Sequence, residues 1–179
     1  SFPPVPSESV VKREGSEKMA NLGKILQENG YGTSFIYGGY GLFDNMNKFF
    51  ADYGFDIKDR TDFDEKFGNI WGASDEDLYH YSISYLDKAN KSGKPFFSLI
   101  LSTSNHKPYT FPKNDAGIPE KNGGREAGIR YADYAINKFF EEVKSKDWFK
   151  DTLFIVLADH DARVYGKSII PIVKYRSLI

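Results

Sequence analysis

Asp159 and His160 stand side by side at the end of an apolar run and join a hard carboxylate oxygen to an imidazole nitrogen. That pairing suits Zn²⁺ or Mn²⁺. Neighbours on a regular strand point to opposite faces, but a strand-to-loop break lets both turn toward one ion. Two ligands do not complete a metal site, so other donors must come from elsewhere. On spacing alone, a surface Asp beside a hydrogen-bonded His reads the same way. Arg163, four residues past Asp159, carries a guanidinium able to clamp an anionic oxygen bidentately, or is a solvated loop cation. His106, between Asn105 and Lys107 in a proline-bounded loop, can offer a hydrogen bond or positive charge to a phosphate or sulfate oxygen. The alternative is a loop histidine held by backbone contacts. The third histidine, His80, lies between Tyr79 and Tyr81 in a helical stretch and reads as structural or exposed. Gly38-Gly39-Tyr40-Gly41 matches neither the dinucleotide nor the P-loop pattern, so a tight turn is expected there. No serine is marked as a nucleophile, and no Ser-His-Asp set can be assembled.

The elements that must position these residues alternate between helix and strand. Ser16 and Glu17 start a helix with Met19, Leu22, Ile25 and Leu26 on one face, closed by Gly30. Thr33–Tyr37 reads as a strand, and Asp44 caps a short helix with Met46, Phe49 and Phe50, ended at Gly54. Residues 55–73 are mixed and polar, a loop with at most one short strand. Ser74 followed by Asp75-Glu76-Asp77 predicts a helix start, with acids over the positive end of the dipole, and Ser92–Pro95 is its stop. Phe96–Ser102 is a continuous apolar run, as in a strand covered on both faces. Residues 103–124 form a long proline- and glycine-rich loop, and such loops tend to be functional. Glu126–Lys146 carries a helical stripe of Ile129, Ala132, Ile136, Phe139 and Val143. Thr152–Ala158 is the most strand-like segment. This alternation predicts an α/β layered sandwich on a mostly parallel central sheet. In such sheets ligands gather at the carboxyl ends of strands, which selects the loops after Tyr37, Ser102 and Ala158.

The bulk properties narrow the function. With 179 residues, 40% hydrophobic, the chain has enough sequence for one packed domain. A net charge of −1 without a basic stripe argues against a nucleic-acid partner. The absence of cysteine removes disulfides, thiolate ligands and Cys nucleophiles together. The longest apolar runs are strand-length, too short to span a bilayer. The start Ser1-Phe2-Pro3-Pro4 has no initiator Met and no signal-peptide pattern, and Lys174–Ile179 reads like the approach to a strand. The chain is therefore expected to be a piece of a longer protein, a single partial domain over 1–179 with an extended connector at 1–15.

Several segments, in order, resemble one family. Pro3-Pro4-Val5-Pro6, then Gly30-Tyr31-Gly32-Thr33-Ser34-Phe35-Ile36-Tyr37-Gly38-Gly39, is similar to a stretch of the lipoteichoic acid synthase and phosphoglycerol transferase family, within the alkaline phosphatase and sulfatase superfamily. Ser74-Asp75-Glu76-Asp77-Leu78, Ser104-Asn105-His106-Lys107-Pro108-Tyr109, Tyr131–Ala135 and Thr152–His160 look like further family segments. The resemblance implies an alkaline phosphatase/sulfatase-like fold and a divalent metal, Mn²⁺ first, with Zn²⁺ or Mg²⁺ as alternatives. It implies Asp159 and His160 as metal ligands and His106 as a contact to the substrate phosphate; Asn105 and Arg163 are the further substrate-contact candidates. It also implies a threonine nucleophile, upstream of the proline-rich segment and so absent from this chain, that attacks a phosphatidylglycerol-type head group. A lipid or glycan acceptor at the extracytoplasmic face of the bacterial membrane follows, with the parent protein anchored there. Two departures stand out: the family's substrate-site His is Tyr37 here, and its later Trp and Arg align with Asp44 and Met46. Arg163 is expected to supply the anion contact that Met46 cannot. A sulfatase or phosphodiesterase on the same scaffold, or a non-catalytic binding module, are the other readings.

Overall fold

The computed structural model describes residues 10–159. Its sheet has three parallel strands in the order β2-β1-β3, with β1 (Gly32–Tyr37) between β2 (Asp56–Lys58) and β3 (Phe96–Leu101). Phe35 pairs with Ile57 on one side and with Leu99 on the other. The α/β class and the parallel sheet agree with the expectation. Being central, β1 is buried from Thr33 to Tyr37.

One face of β1 feeds an aromatic cluster. Phe35 and Tyr37 pack with Tyr53 and Phe55, and helix α2 (Met46–Asp52) adds Met46, Phe49 and Phe50. The Phe35 and Phe50 rings stack with centroids 4.0 Å apart. Helix α3 (Asp75–Lys91) follows its sequence signals closely: Ser74 Oγ accepts from the Asp77 N–H at 3.1 Å, and Ser92-Gly93 ends it. Ile83 and Leu86 of α3 pack with Val143 of α4 (Gly124–Val143) and with Trp148 in a second core. Phe111 and Ile118 of the long loop meet Ala127 and Tyr131 of α4 in a third.

Four expectations are corrected. Helix α1 spans only Leu22–Glu28 and is capped by Asn21, whose Oδ1 accepts from Lys24 N at 2.9 Å. Its face Met19, Leu22, Ile25 is exposed; the chain instead buries Gly23, where a Cβ would run into the Phe55 ring. Within the expected connector, Val10–Lys12 forms a 3-10 turn. The buried stripe of α4 is Ala127, Gly128, Tyr131, Ala135 and Val143, leaving Ile129 54% exposed, because the long loop packs over the helix start and takes Tyr131 as its floor.

The fourth correction concerns the final apolar run. Residues 152–158 form no strand, although Thr152–Ala158 has the strongest strand pattern. Both sides of β1 are taken, and the run pairs with neither outer strand edge among the described residues. Phe154 packs against Phe139, Phe140 and Phe149, while Leu153 is 83% exposed and Ile155, Val156 and Leu157 also face outward. Among the described residues strand β3 is correspondingly an edge, and Leu99 on it is exposed.

Candidate functional site

The loops after β1 and β3 meet a third, unanticipated loop at one end of the sheet. After β1, Gly38 N donates to Leu101 O at 3.0 Å and Gly38 O accepts from Ala73 N at 2.9 Å. The turn Asn69–Gly72 is fixed by its own amide side chain: Asn69 Oδ1 accepts from Trp71 N at 2.8 Å and Gly72 N at 3.3 Å. Gly72 has to be glycine, since a Cβ there would collide with the Gly38 carbonyl. The backbones of the two loops therefore lie against each other, and Trp71 is delivered to the site.

Trp71 meets His106. The two ring centroids are 3.7 Å apart at an interplanar angle of 40°. His106 is otherwise exposed, with Nδ1 3.2 Å from the Lys107 carbonyl oxygen. The backbone curls tightly here, with His106 N donating to Thr103 O at 3.2 Å and Tyr109 N to His106 O at 2.9 Å. Asn105 is exposed beside it, and α4 comes so close that a Cβ on Gly128 would strike Asn105 Oδ1 and the Tyr109 ring.

The loop after β1 is braced from beneath by Asp59. Its carboxylate, nearly buried, accepts from Gly41 N at 3.0 Å, Asn47 Nδ2 at 2.9 Å, Thr61 N at 2.9 Å and Thr61 Oγ1 at 2.7 Å. Burial opposes its ionisation, but these donors outweigh that and hold its pKa below the usual carboxylate value. Arg60 N donates to Gly39 O, and its guanidinium lies 4.8 Å above the Tyr40 ring while forking onto Glu65. Tyr37 is buried at the end of β1; burial pushes its hydroxyl pKa up, and the carboxylates of Asp44 and Asp159 add to the shift. Asp159 thus lies within electrostatic reach of the end of β1.

Of the residues selected from sequence, Asn105 and His106 sit together at the carboxyl end of β3, and Asp159 is exposed where the described chain ends. His160 and Arg163 lie outside the described residues. His80 is exposed on α3, 3.9 Å from Glu142 and away from these loops. Trp71 is the site residue that sequence reasoning missed. Its only signal is an aromatic side chain in a short polar stretch, between Asn69 and Gly72. Among the described residues, no three His, Asp or Glu side chains are grouped to hold an ion.

The sulfatase family profile matches residues 2–176. The lipoteichoic acid synthase of Staphylococcus saprophyticus is 29% identical over 174 residues, covering 92% of this chain and 26% of that protein. The Staphylococcus aureus enzyme of the same name is 28% identical with the same coverage. The chain thus spans about a quarter of the length of these relatives. A crystal structure of an alkaline phosphatase superfamily protein from Vibrio parahaemolyticus superposes with TM-score 0.87 at 40% identity, over 98% of this chain and 44% of that one. The lipoteichoic acid synthase LtaP from Listeria monocytogenes shares the fold, with TM-score 0.70 at 22% identity over 92% of this chain and 44% of that one. With its family profile covering nearly every residue and its parallel sheet shared with alkaline phosphatase superfamily structures, the chain belongs to the sulfatase family.

Proposed function

We propose that this chain is part of a metal-dependent phosphoglycerol transferase acting on lipid or glycan substrates of the bacterial cell envelope. The observation that carries the reading is the exposed His106 on its Trp71 platform at the carboxyl end of the sheet, in a chain similar over 92% of its length to lipoteichoic acid synthases. The nucleophile, a threonine in this reading, comes from outside this sequence. So does the membrane anchor; no described helix is long and apolar enough to cross a membrane.

The residues assigned to a divalent ion, Mn²⁺ first, are Asp159 and His160. Asp159 is the described one, an exposed carboxylate whose charge is felt by Tyr37 at the end of β1. The ion's chemistry is to neutralise charge on the transferred group and to activate the nucleophile. His106 binds and orients the phosphate. With Nδ1 donating to the Lys107 carbonyl, Nε2 is the nitrogen left to meet a phosphate oxygen, and it donates there when the ring is protonated. Trp71 holds the imidazole plane, Asn105 offers amide donors beside it, and Arg163 is assigned the second anion contact.

The family profile favours one further reading, a sulfatase or phosphodiesterase with water as acceptor. The full-length protein decides between them. With Mn²⁺ and fluorescent phosphatidylglycerol, a transferase releases diacylglycerol and builds glycerophosphate onto an acceptor. Aryl sulfate hydrolysis without any such transfer would overturn the proposal, and loss of neither activity in Arg163→Ala would remove that residue from the site.

A further inference from the structure

Asp75 opens α3 among three acids, where it reads as one more solvated charge over the helix dipole. The structure buries it completely. Its Oδ1 accepts from Ser104 N at 2.9 Å and from Thr103 N at 3.2 Å, and its own N–H donates to Ser104 Oγ at 3.0 Å. Asp75 and Ser104 therefore bond each other reciprocally, backbone to side chain in both directions. Thr103 Oγ1 adds a bond to Ala73 O at 3.2 Å, so the loop is tied to both the start of α3 and the residue before its cap. Ser104 is buried with Asp75, whereas Asn105 and His106, the next two residues, are exposed.

Asp75 Oδ2 is buried with no hydrogen-bond partner. Burying a carboxyl group this way is costly, and the dipole role is already served by Glu76 and Asp77, which are less buried. The group that gains from the burial is the loop. We propose that Asp75 is a positioning residue: its carboxylate clamps the Thr103 and Ser104 amides and so fixes where Asn105 and His106 stand. Burial raises the Asp75 pKa while the Ser104 and Thr103 donors oppose the rise, consistent with a group held for its geometry. The consequence for activity rests on the transferase reading; the clamp itself does not.

The test uses the full-length protein with Asp75→Ala, Asp75→Asn and Asp75→Ser, read by amide hydrogen exchange of the peptide covering 102–107 and by steady-state kinetics. Asp75→Ala is expected to speed exchange at Thr103 and Ser104 by about tenfold or more and to lower kcat/KM by a similar factor, with the rest of the sheet unchanged. Asp75→Asn keeps a carbonyl oxygen for both amides, so it is expected to recover wild-type exchange in this peptide and most of kcat/KM. If Asp75→Ala does not fold, Asp75→Ser, which keeps a polar side chain at the helix start but is too short to reach both amides, carries the test through faster exchange at Thr103 and Ser104. Wild-type exchange at 102–107 in Asp75→Ala or Asp75→Ser overturns the clamp, as does an Asp75→Asn variant as fast-exchanging as Asp75→Ala. A wild-type protein without phosphoglycerol transfer, together with faster exchange in Asp75→Ala, sinks the transferase reading and leaves the clamp standing.

Discussion

His106 is exposed to solvent, yet its ring plane is set by Trp71 and its Nδ1 faces a carbonyl. An aromatic neighbour contributes through contact and orientation, not through chemistry of its own. Trp71→Ala in the full-length protein is therefore expected to lower kcat/KM by about 3- to 10-fold, the scale of one aromatic pair. His106→Ala, which removes the proposed phosphate contact, is expected to cost roughly 100-fold in kcat. Phosphate-transfer kinetics on both variants check this ordering, and equal losses would place Trp71 in direct contact with substrate. Asp59 sets a pH dependence of a different kind. Its folded pKa lies below the unfolded value, so its stabilisation is present above about pH 4 and is lost as pH falls through the folded value. Thermal melts between pH 7 and 3 are expected to fall less steeply for Asp59→Asn than for the wild type. Asp75 had no such signal in sequence, because an acid at a helix start looks alike whether it faces water or a buried loop amide.

At the level of elements, the start and stop of α3 were legible, whereas the starts read at Ser16 and Asp44 were not: α1 is capped by Asn21, and α2 follows Asn45 with no side-chain cap bond. Ser74→Ala removes the cap of α3 and is expected to cost about 1 kcal/mol in denaturant unfolding. Gly23→Ala, forcing a methyl into the Phe55 ring, is expected to cost about 1–3 kcal/mol by the same measurement. The first follows from a local motif that sequence displays. The second rests on a contact between α1 and residue 55, which no local pattern encodes. The same division runs through the rest of the fold. β1, β3, α3 and the long loop could be read from apolar runs and turn residues, and so could the place of Asn105 and His106 just past the end of β3. The rotation of α4 about its axis could not, since Ile129 and Tyr131 are both apolar enough for a core and only the packed loop chooses between them. Residues 152–158 are strand-like by composition yet pair with no strand among the described residues, because propensity reports what suits a pleated surface and not whether a partner edge is met.

For the whole molecule, no three His, Asp or Glu side chains are grouped to hold an ion among the described residues, and Asp159, the proposed ligand, is exposed after an apolar run. The 179-residue chain alone is expected to give a weak, non-saturating Mn²⁺ isotherm by calorimetry, while the full-length protein binds stoichiometrically; tight binding by the chain alone would show that it carries a complete ligand set. The sheet has a further consequence for how the protein is made. Ser34 bonds Ser98 across β1 and β3, partners 64 positions apart in the chain. A strand bonded on one side to Asp56–Lys58 must hold its other side open until Phe96–Leu101 has left the ribosome. Distant pairings of this sort fold slowly and expose an adhesive edge meanwhile. The helix between them, α3, therefore has to emerge before the sheet can close. Synthesis that stalls near Ser92 leaves β1 half-paired, the state in which this protein is most exposed to capture by a chaperone or by a second nascent chain.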